Sequence, residues 1–413
     1  MVARVGYKHT EVGVIPEDWD VSQLSEIVNF TNGKPHEHNV STNGRYSLIT
    51  LDSVGINGQL KSTHKRTNVL DDSLRKGDIV AVLSDIAHGN LLGLCDVIPE
   101  DGMYVLNQRM GRLRVRGGAS PEFLRLSINL NQAHFKRRGQ GTSQRHVYKR
   151  DFDSLLLPLP HPAEQSVIAE ALSDVDSLIE SLDLLIAKKR DIKQGATQQL
   201  LSGNTRLPGF SSDWTIKTMR SLGSTYGGLS GKTADDFGAG SALFIPFTNV
   251  MKNVAVDLAQ LEPVSIKFGE NQNQVFAGDV LFNGSSETPE EVGLATVVPV
   301  GTQTLYLNSF CFGFRLNLDV PTSGLYLAYF FRSQLGRAIV YSLAQGSTRY
   351  NISKVALLNQ SLRLPSLREQ LDIAAVLTDM DTEIETLAAR REKTIQVKEG
   401  MMSELLTGRT RLL

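Results

Sequence analysis

Cysteine is nearly absent: Cys95 and Cys311 are the only two in 413 residues, one in each half of the chain. That excludes a disulfide framework and a thiolate metal cluster and suits a reducing compartment, so the expected location is the cytoplasm. Long apolar runs are missing too. None approaches the roughly 18 to 20 residues that would span a bilayer, so no membrane partner is expected. The opening MVARVGYKHTEVGVIPEDW likewise lacks an apolar stretch of signal-peptide length. Excess charge of one sign is absent, with a formal net charge of -1, which argues against a uniformly basic coat but leaves room for local patches. Enzyme signatures are lacking as well. There is no GxGxxG fingerprint, GxSxG elbow or CxxC pair. The stretch Gly227 to Thr233 resembles a phosphate loop, but Tyr226 stands where its first glycine is required. His36-Glu37-His38 has no partner cluster to complete a metal site, and no metal is expected. The chain is therefore expected to be non-catalytic by itself.

A duplication is what the sequence does contain. Sliding the chain by 205 places lays Pro160–Leu207 on Pro365–Leu412 without a gap, with 20 of 48 positions identical, including Glu164/Glu369, Gln165/Gln370 and Gly195/Gly400. Within the first copy Ile168, Leu172, Val175, Ile179, Leu182 and Ile186 follow a 4-3 spacing; Ile373, Leu377, Met380, Ile384 and Leu387 repeat it in the second. This is the pattern of a coiled-coil seam. Pro162 at a first helical position, a Ser366/Glu369 capping box and the terminal glycines Gly203 and Gly408 bound two long helices. An unbroken helix from Pro162 to Ser202 would be about 60 Å long. Gly195 and Gly400 inside the helices imply a close helix approach or a kink. The outward Leu178, Leu185 and Ile192 either widen the intramolecular core or form a docking face.

The regions before each helix share a plan. Asp18-Trp19 answers Asp213-Trp214, Gly77-Asp78 answers Gly278-Asp279, Leu106-Asn107 answers Leu307-Asn308, and Gln140-Gly141 answers Gln345-Gly346. Between these anchors short β-type runs alternate with turns, and the loops have nothing in common. Kept framework with divergent loops implies two variable readers on one scaffold, or neutral drift of surface loops. The fold class is α+β: two similar mixed α/β domains joined by two long antiparallel helices in a coiled coil, with pseudo-two-fold symmetry. The expected boundaries are 1–157, 158–207, 208–363 and 364–413. The lead-in to the second domain, LPGFSSDW, has its counterpart near the N-terminus, so the order is cyclic and the termini should be neighbours.

The polar loops suit nucleic acid. Lys136, Arg137, Arg138 and Arg145 flank Gln140, Thr142, Ser143, Gln144 and His146 with no acidic residue between His134 and Arg150. Cations can contact phosphates, while Gln, Arg, Asn and Ser can pair with base edges. The second half offers Gln345, Ser347, Thr348, Arg349, Tyr350 and Asn351, with Arg332 and Arg337 upstream. Lys34, Lys65, Arg66, Arg109 and Lys232 complete the candidate DNA-binding set. A solvated basic loop is the alternative for any single residue; recurrence at one place in both halves favours the group.

The lead-in VGVIPEDW, the junctions LPLPHPAEQSVIAEALSDVDSLI and SGNTRLPGFSSDW, and the second LPSLREQLDIAAVLTDMDTEI resemble the specificity subunit of type I restriction-modification systems, across the whole chain. The resemblance implies two target-recognition domains, 1–157 and 208–363, each reading one half of a bipartite asymmetric site in double-stranded DNA. The helical regions 158–207 and 364–413 would be spacers. Implied partners are two methyltransferase subunits using S-adenosylmethionine to methylate adenine and two restriction subunits using ATP and Mg; no cofactor is expected in this chain. A coiled-coil scaffold with two protein-binding globular ends is the alternative reading.

Overall fold

The computed structural model describes residues 6–62, 64–71, 73–86, 89–300 and 304–412. The chain divides into two compact units, residues 1–183 with 389–413, and residues 184–388. Each unit thus combines a mixed α/β domain with stretches of both long helices.

In the first unit, a four-stranded antiparallel sheet runs in the order Val28–Asn32, Met110–Val115, Ile79–Val82, Cys95–Val97. The second unit repeats that order with Gly223–Gly227, Cys311–Leu316, Val280–Asn283 and Ala295–Val297. A three-stranded sheet follows the same rule in both. Tyr46–Ile49 lies between a parallel and an antiparallel neighbour, as does Phe237–Ile245. The central strands Ile79–Val82 and Val280–Asn283 are buried throughout, as their unbroken apolar runs require. Two short helices cover each sheet, Pro121–Leu130 and Gln132–Arg138 in one unit, Gly324–Arg332 and Gln334–Leu343 in the other. The anchor Gly77-Asp78 has a physical cause: Gly77 turns at φ +84° so that Asp78 can take the Arg114 guanidinium at 2.7 and 2.6 Å. Gly278 (φ +85°), Asp279 and Arg315 repeat this at 3.0 and 2.7 Å.

The long helices span Pro162–Ser202 and Leu367–Leu405. Their 4-3 stripes are not uniformly buried. Ile168 and Leu172 lie in the core of the first unit with Trp19, Leu405 and Leu406; Ile373 and Leu377 lie in that of the second with Trp214, Leu200 and Leu201. Leu182 and Ile186 are buried, whereas Val175, Ile179, Met380, Ile384 and Leu387 are half-buried. Ion pairs join the helices within each unit. Asp176 meets Lys398 at 2.6 Å and Asp183 meets Arg391 at 2.5 Å in the first; Lys189 meets Glu383 at 2.6 Å and Lys193 meets Asp381 in the second. In each unit the partner's number falls as the helix number rises, which is antiparallel pairing.

Two expectations are corrected. A Cβ on Gly195 or Gly400 would meet nothing within 4 Å, so of the two expected causes the close helix approach is excluded, and the kink is untouched by this. The capping box at Ser366 is half made: its hydroxyl accepts from the Glu369 N–H at 3.4 Å, but the Glu369 carboxylate turns to Arg206 instead.

That turn closes a junction built twice. Glu369, 1% exposed, takes the Arg206 guanidinium at 2.5 and 2.7 Å. In the first unit Glu164, 2% exposed, takes Arg411 at 2.9 and 2.7 Å and also accepts from the Trp19 indole N–H at 3.1 Å. Gln165 and Gln370 do matching work, each accepting a backbone N–H of a helix cap residue, Ser120 or Ser323, at 2.9 Å. Gly203 (φ +73°) and Gly408 (φ +70°) end the helices against Trp214 and Trp19. Asp18 holds Arg411 at 2.9 Å, and the Tyr7 hydroxyl lies 3.5 Å from the Arg409 carbonyl, so the two ends of the described chain are neighbours within one unit.

Candidate nucleic-acid interface

Each unit presents a tight hairpin at the place where the sequence repeats Gln-Gly. In the first, Gln140 bridges His146, and the return strand Gln144–His146 pairs with Ser84–Ile86. In the second, Gln345 pairs with Asn351, and the return strand Tyr350–Ile352 pairs with Ser285–Ser286. The glycines make both turns possible. Gly141 has φ +111° and Gly346 φ +130°, and a Cβ at either would lie 2.1 Å from a carbonyl oxygen, that of Gln144 or Arg349. Thr142 and Ser143 are exposed at one tip, and Ser347, Thr348 and Arg349 at the other.

The hairpins are held from below by the same backbone bonds. Val147 donates to the Leu83 carbonyl at 2.9 Å, and Leu83 donates to the Arg109 carbonyl at 3.1 Å. Ile352 donates to Gly284 at 3.1 Å, and Gly284 donates to Phe310 at 2.8 Å. Rigid support under exposed polar tips is the arrangement that reads a ligand surface without first having to order itself.

Around the first hairpin the helix Gln132–Arg138 ends in Lys136, Arg137 and Arg138; the last two are exposed, and Arg138 contacts the His134 ring at 2.9 Å. Burial lowers the pKa of His134. Arg145 has a structural task, donating to the Lys136 and Gly139 carbonyls at 3.1 and 3.0 Å and so closing the loop. His146 is fixed by the Ser84 hydroxyl at 2.7 Å. Gln140 is exposed and Gln144 half-buried at the hairpin; Arg109 is half-buried below it. Around the second hairpin Gln345 and Asn351 are exposed and Tyr350 half-buried. Lys34 is exposed, 3.8 Å from Asp71, and Lys65 is exposed on a short strand. Of the basic stretch 61–66, Thr63 lies outside the described residues.

Four further candidate cations are, like Arg145, bonded within the fold. Arg332 points into the domain, where its guanidinium donates to the carbonyls of Ala295, Val250, Met251 and Asn253 at 2.5 to 3.1 Å. Three of these lie at the end of the helix Phe247–Lys252, where unpaired carbonyls need donors. Burial pushes this guanidinium down to about 10. Arg337 is likewise spent on the Glu290 and Val292 carbonyls, at 2.9 and 2.5 Å. The Lys232 side chain is 4% exposed and bonded to Glu270 and the Ser265 carbonyl, both at 2.6 Å. Arg66 staples Gly44, Arg45 and Ser47 at 2.8 to 3.3 Å. In each case an unpaired carbonyl or carboxylate distant in sequence claims the cation. Phe310, at the foot of the second hairpin, was not among the candidates; it stands two residues on from the Leu-Asn anchor, where the first half has Arg109.

The family model for the type I restriction modification DNA specificity domain matches residues 16–188 and 261–396. The chain belongs to this specificity family. The type I restriction enzyme MjaVIII specificity subunit of Methanocaldococcus jannaschii is 22% identical over 425 residues, which cover 96% of this chain and 94% of the relative. The putative MjaX specificity subunit of the same organism is 23% identical over 442 residues, covering 98% and 97%. Two solved structures share the fold. The S subunit of a type I restriction-modification system from M. genitalium gives a TM-score of 0.58 at 12% identity, over 94% of this chain and 96% of that one. A chain from a structure of type I R-M complex assembly and conformational transition gives 0.59 at 17%, over 96% and 99%. Like other members of the specificity family, this chain is a DNA-recognition component, and among its described residues no helix is long and apolar enough to cross a membrane.

Proposed function

We propose that the two units read two different half-sites of one bipartite, asymmetric DNA duplex, within a type I complex in the cytoplasm. The observation that carries this is the recurring hairpin: the same glycine turn and backbone supports in both units, with different side chains at the tips. A common frame with different tips fits one docking geometry and two sequences. The chain supplies recognition and no bond-making step. Methyltransferase subunits, two per complex, would bring S-adenosylmethionine and methylate adenine; two restriction subunits would bring ATP-driven cleavage with Mg. The exposed Leu178, Leu185 and Ile192 of the first long helix are candidates for contact with those partners.

The test is a map of methylated adenine across the genome with and without this chain. Loss of methylation at one bipartite motif is expected; unchanged methylation refutes the reading. Exchanging residues 13–157 for the corresponding segment of a relative should alter one half-site only, and alteration of both would contradict separate readers. A four-residue insertion at Gln194 should lengthen the gap between half-sites; an unchanged gap removes the helices as its ruler.

A further inference from the structure

At the foot of the second hairpin an aromatic ring takes the place that the first unit gives to a cation. Phe310 and Arg109 are equivalent by backbone: the carbonyl of each accepts from the residue just after the central strand, Gly284 or Leu83, and each leads into the neighbouring strand of the main sheet. Phe310 is 54% exposed. Its backbone is pinned on both sides, by its own N–H to the Asn308 side chain at 2.9 Å and by its carbonyl to Gly284 at 2.8 Å. The Arg349 guanidinium lies over this ring, 5.4 Å from its centroid. Arg349 itself is exposed and makes no hydrogen bond or ion pair through its guanidinium among the described residues.

We propose that Phe310 is the positioning residue for Arg349, holding the guanidinium over its ring so that the fork reads a guanine in the half-site of the second unit. This rests on the reading of the chain as a DNA-recognition subunit. A guanidinium held over an aromatic ring by a cation–π contact spends none of its N–H donors on a hydrogen bond there. The free edge is what pairs two donors with guanine O6 and N7 in the major groove. A flexible exposed arginine would lose side-chain entropy on making that contact; a stacked one has lost part of it beforehand. The first unit has Arg109 at the equivalent backbone position and Gln144 where the second has Arg349. It therefore reads its half-site with a different donor pattern.

The experiment uses the full chain assembled with its methyltransferase partner and a duplex library randomised across both half-sites. Phe310→Ala should lower discrimination at one base pair of one half-site by up to about tenfold, the cost of ordering one freed side chain again. Arg349→Ala should relax the same base pair, Phe310→Tyr should preserve it, and the other half-site should keep its profile in all three. Phe310 is exposed, so the fold tolerates these changes, and circular dichroism checks that. The proposal is overturned if Phe310→Ala leaves every position unchanged, weakens all sequences equally, or relaxes a base pair that Arg349→Ala does not. A wild-type complex with no sequence preference at either half-site would overturn the recognition reading itself, an outcome distinct from these.

Discussion

Removing Arg206 leaves Glu369 as a carboxylate 1% exposed without its cation. Stranding a buried charge is destabilising, so Arg206→Ala should lower the denaturation midpoint of the second unit, and an unchanged midpoint would show the pair to be solvent-screened. The glycines inside the long helices point the other way. Because a Cβ at Gly195 or Gly400 meets nothing, Gly195→Ala and Gly400→Ala should each stabilise by about 1 kcal/mol in chemical denaturation. Glu270 gives a pH signature. Lys232 donates a hydrogen bond to it, and its pKa falls from 4.5 to about 2. A depressed carboxylate pKa means its contribution is full above pH 4.5 and is lost as pH falls through about 2, which carbon-detected NMR titration of the side chain would follow. Some of this was legible in the sequence. Glu164/Glu369 and Gln165/Gln370 stood out as repeated, but their tasks were not, because their partners Arg411, Arg206, Ser120 and Ser323 are remote along the chain. Arg332 was misjudged for the same reason: an arginine on a short helix looks alike whether it meets water or the carbonyl end of another helix.

The hairpins are elements whose shape depends on one residue each. Gly141→Ala or Gly346→Ala places a Cβ 2.1 Å from a carbonyl oxygen on backbone at φ +111° or +130°. Strain of about 1 to 3 kcal/mol should displace the loop while its supporting strands stay paired. Discrimination should then fall at the corresponding half-site alone in a duplex library selection; retained discrimination at both would remove the hairpins from the interface. The Gln-Gly repeat marked these turns in the sequence, since a glycine followed by small polar residues recurs at the same place in both halves. The return strands were not legible. Gln144–His146 and Tyr350–Ile352 are too short to show a period, and Ser285–Ser286 is a strand only because the hairpin pairs with it. The 41-residue helix, by contrast, was bounded correctly at Pro162 and Ser202 by its own proline, glycine and apolar spacing.

At the scale of the molecule, the internal duplication explains why both units have the same strand order, and the cyclic order explains why each is finished by helix from the other repeat. The two are not equal in one respect. The second unit is a single continuous stretch, 184–388, whereas the first needs residues 389–413, which bring Leu405 and Leu406 into its core and Arg411 to Glu164. A chain ending at residue 388 should therefore keep amide-exchange protection in the second unit and lose it around Trp19 and Ile168; equal protection in both would mean that the last helix adds nothing to the first core. During synthesis on the ribosome, the unit translated first is then the last to close. Its half-built core must wait through some two hundred further residues, and a stop before residue 389 leaves the unit translated first without its last helix.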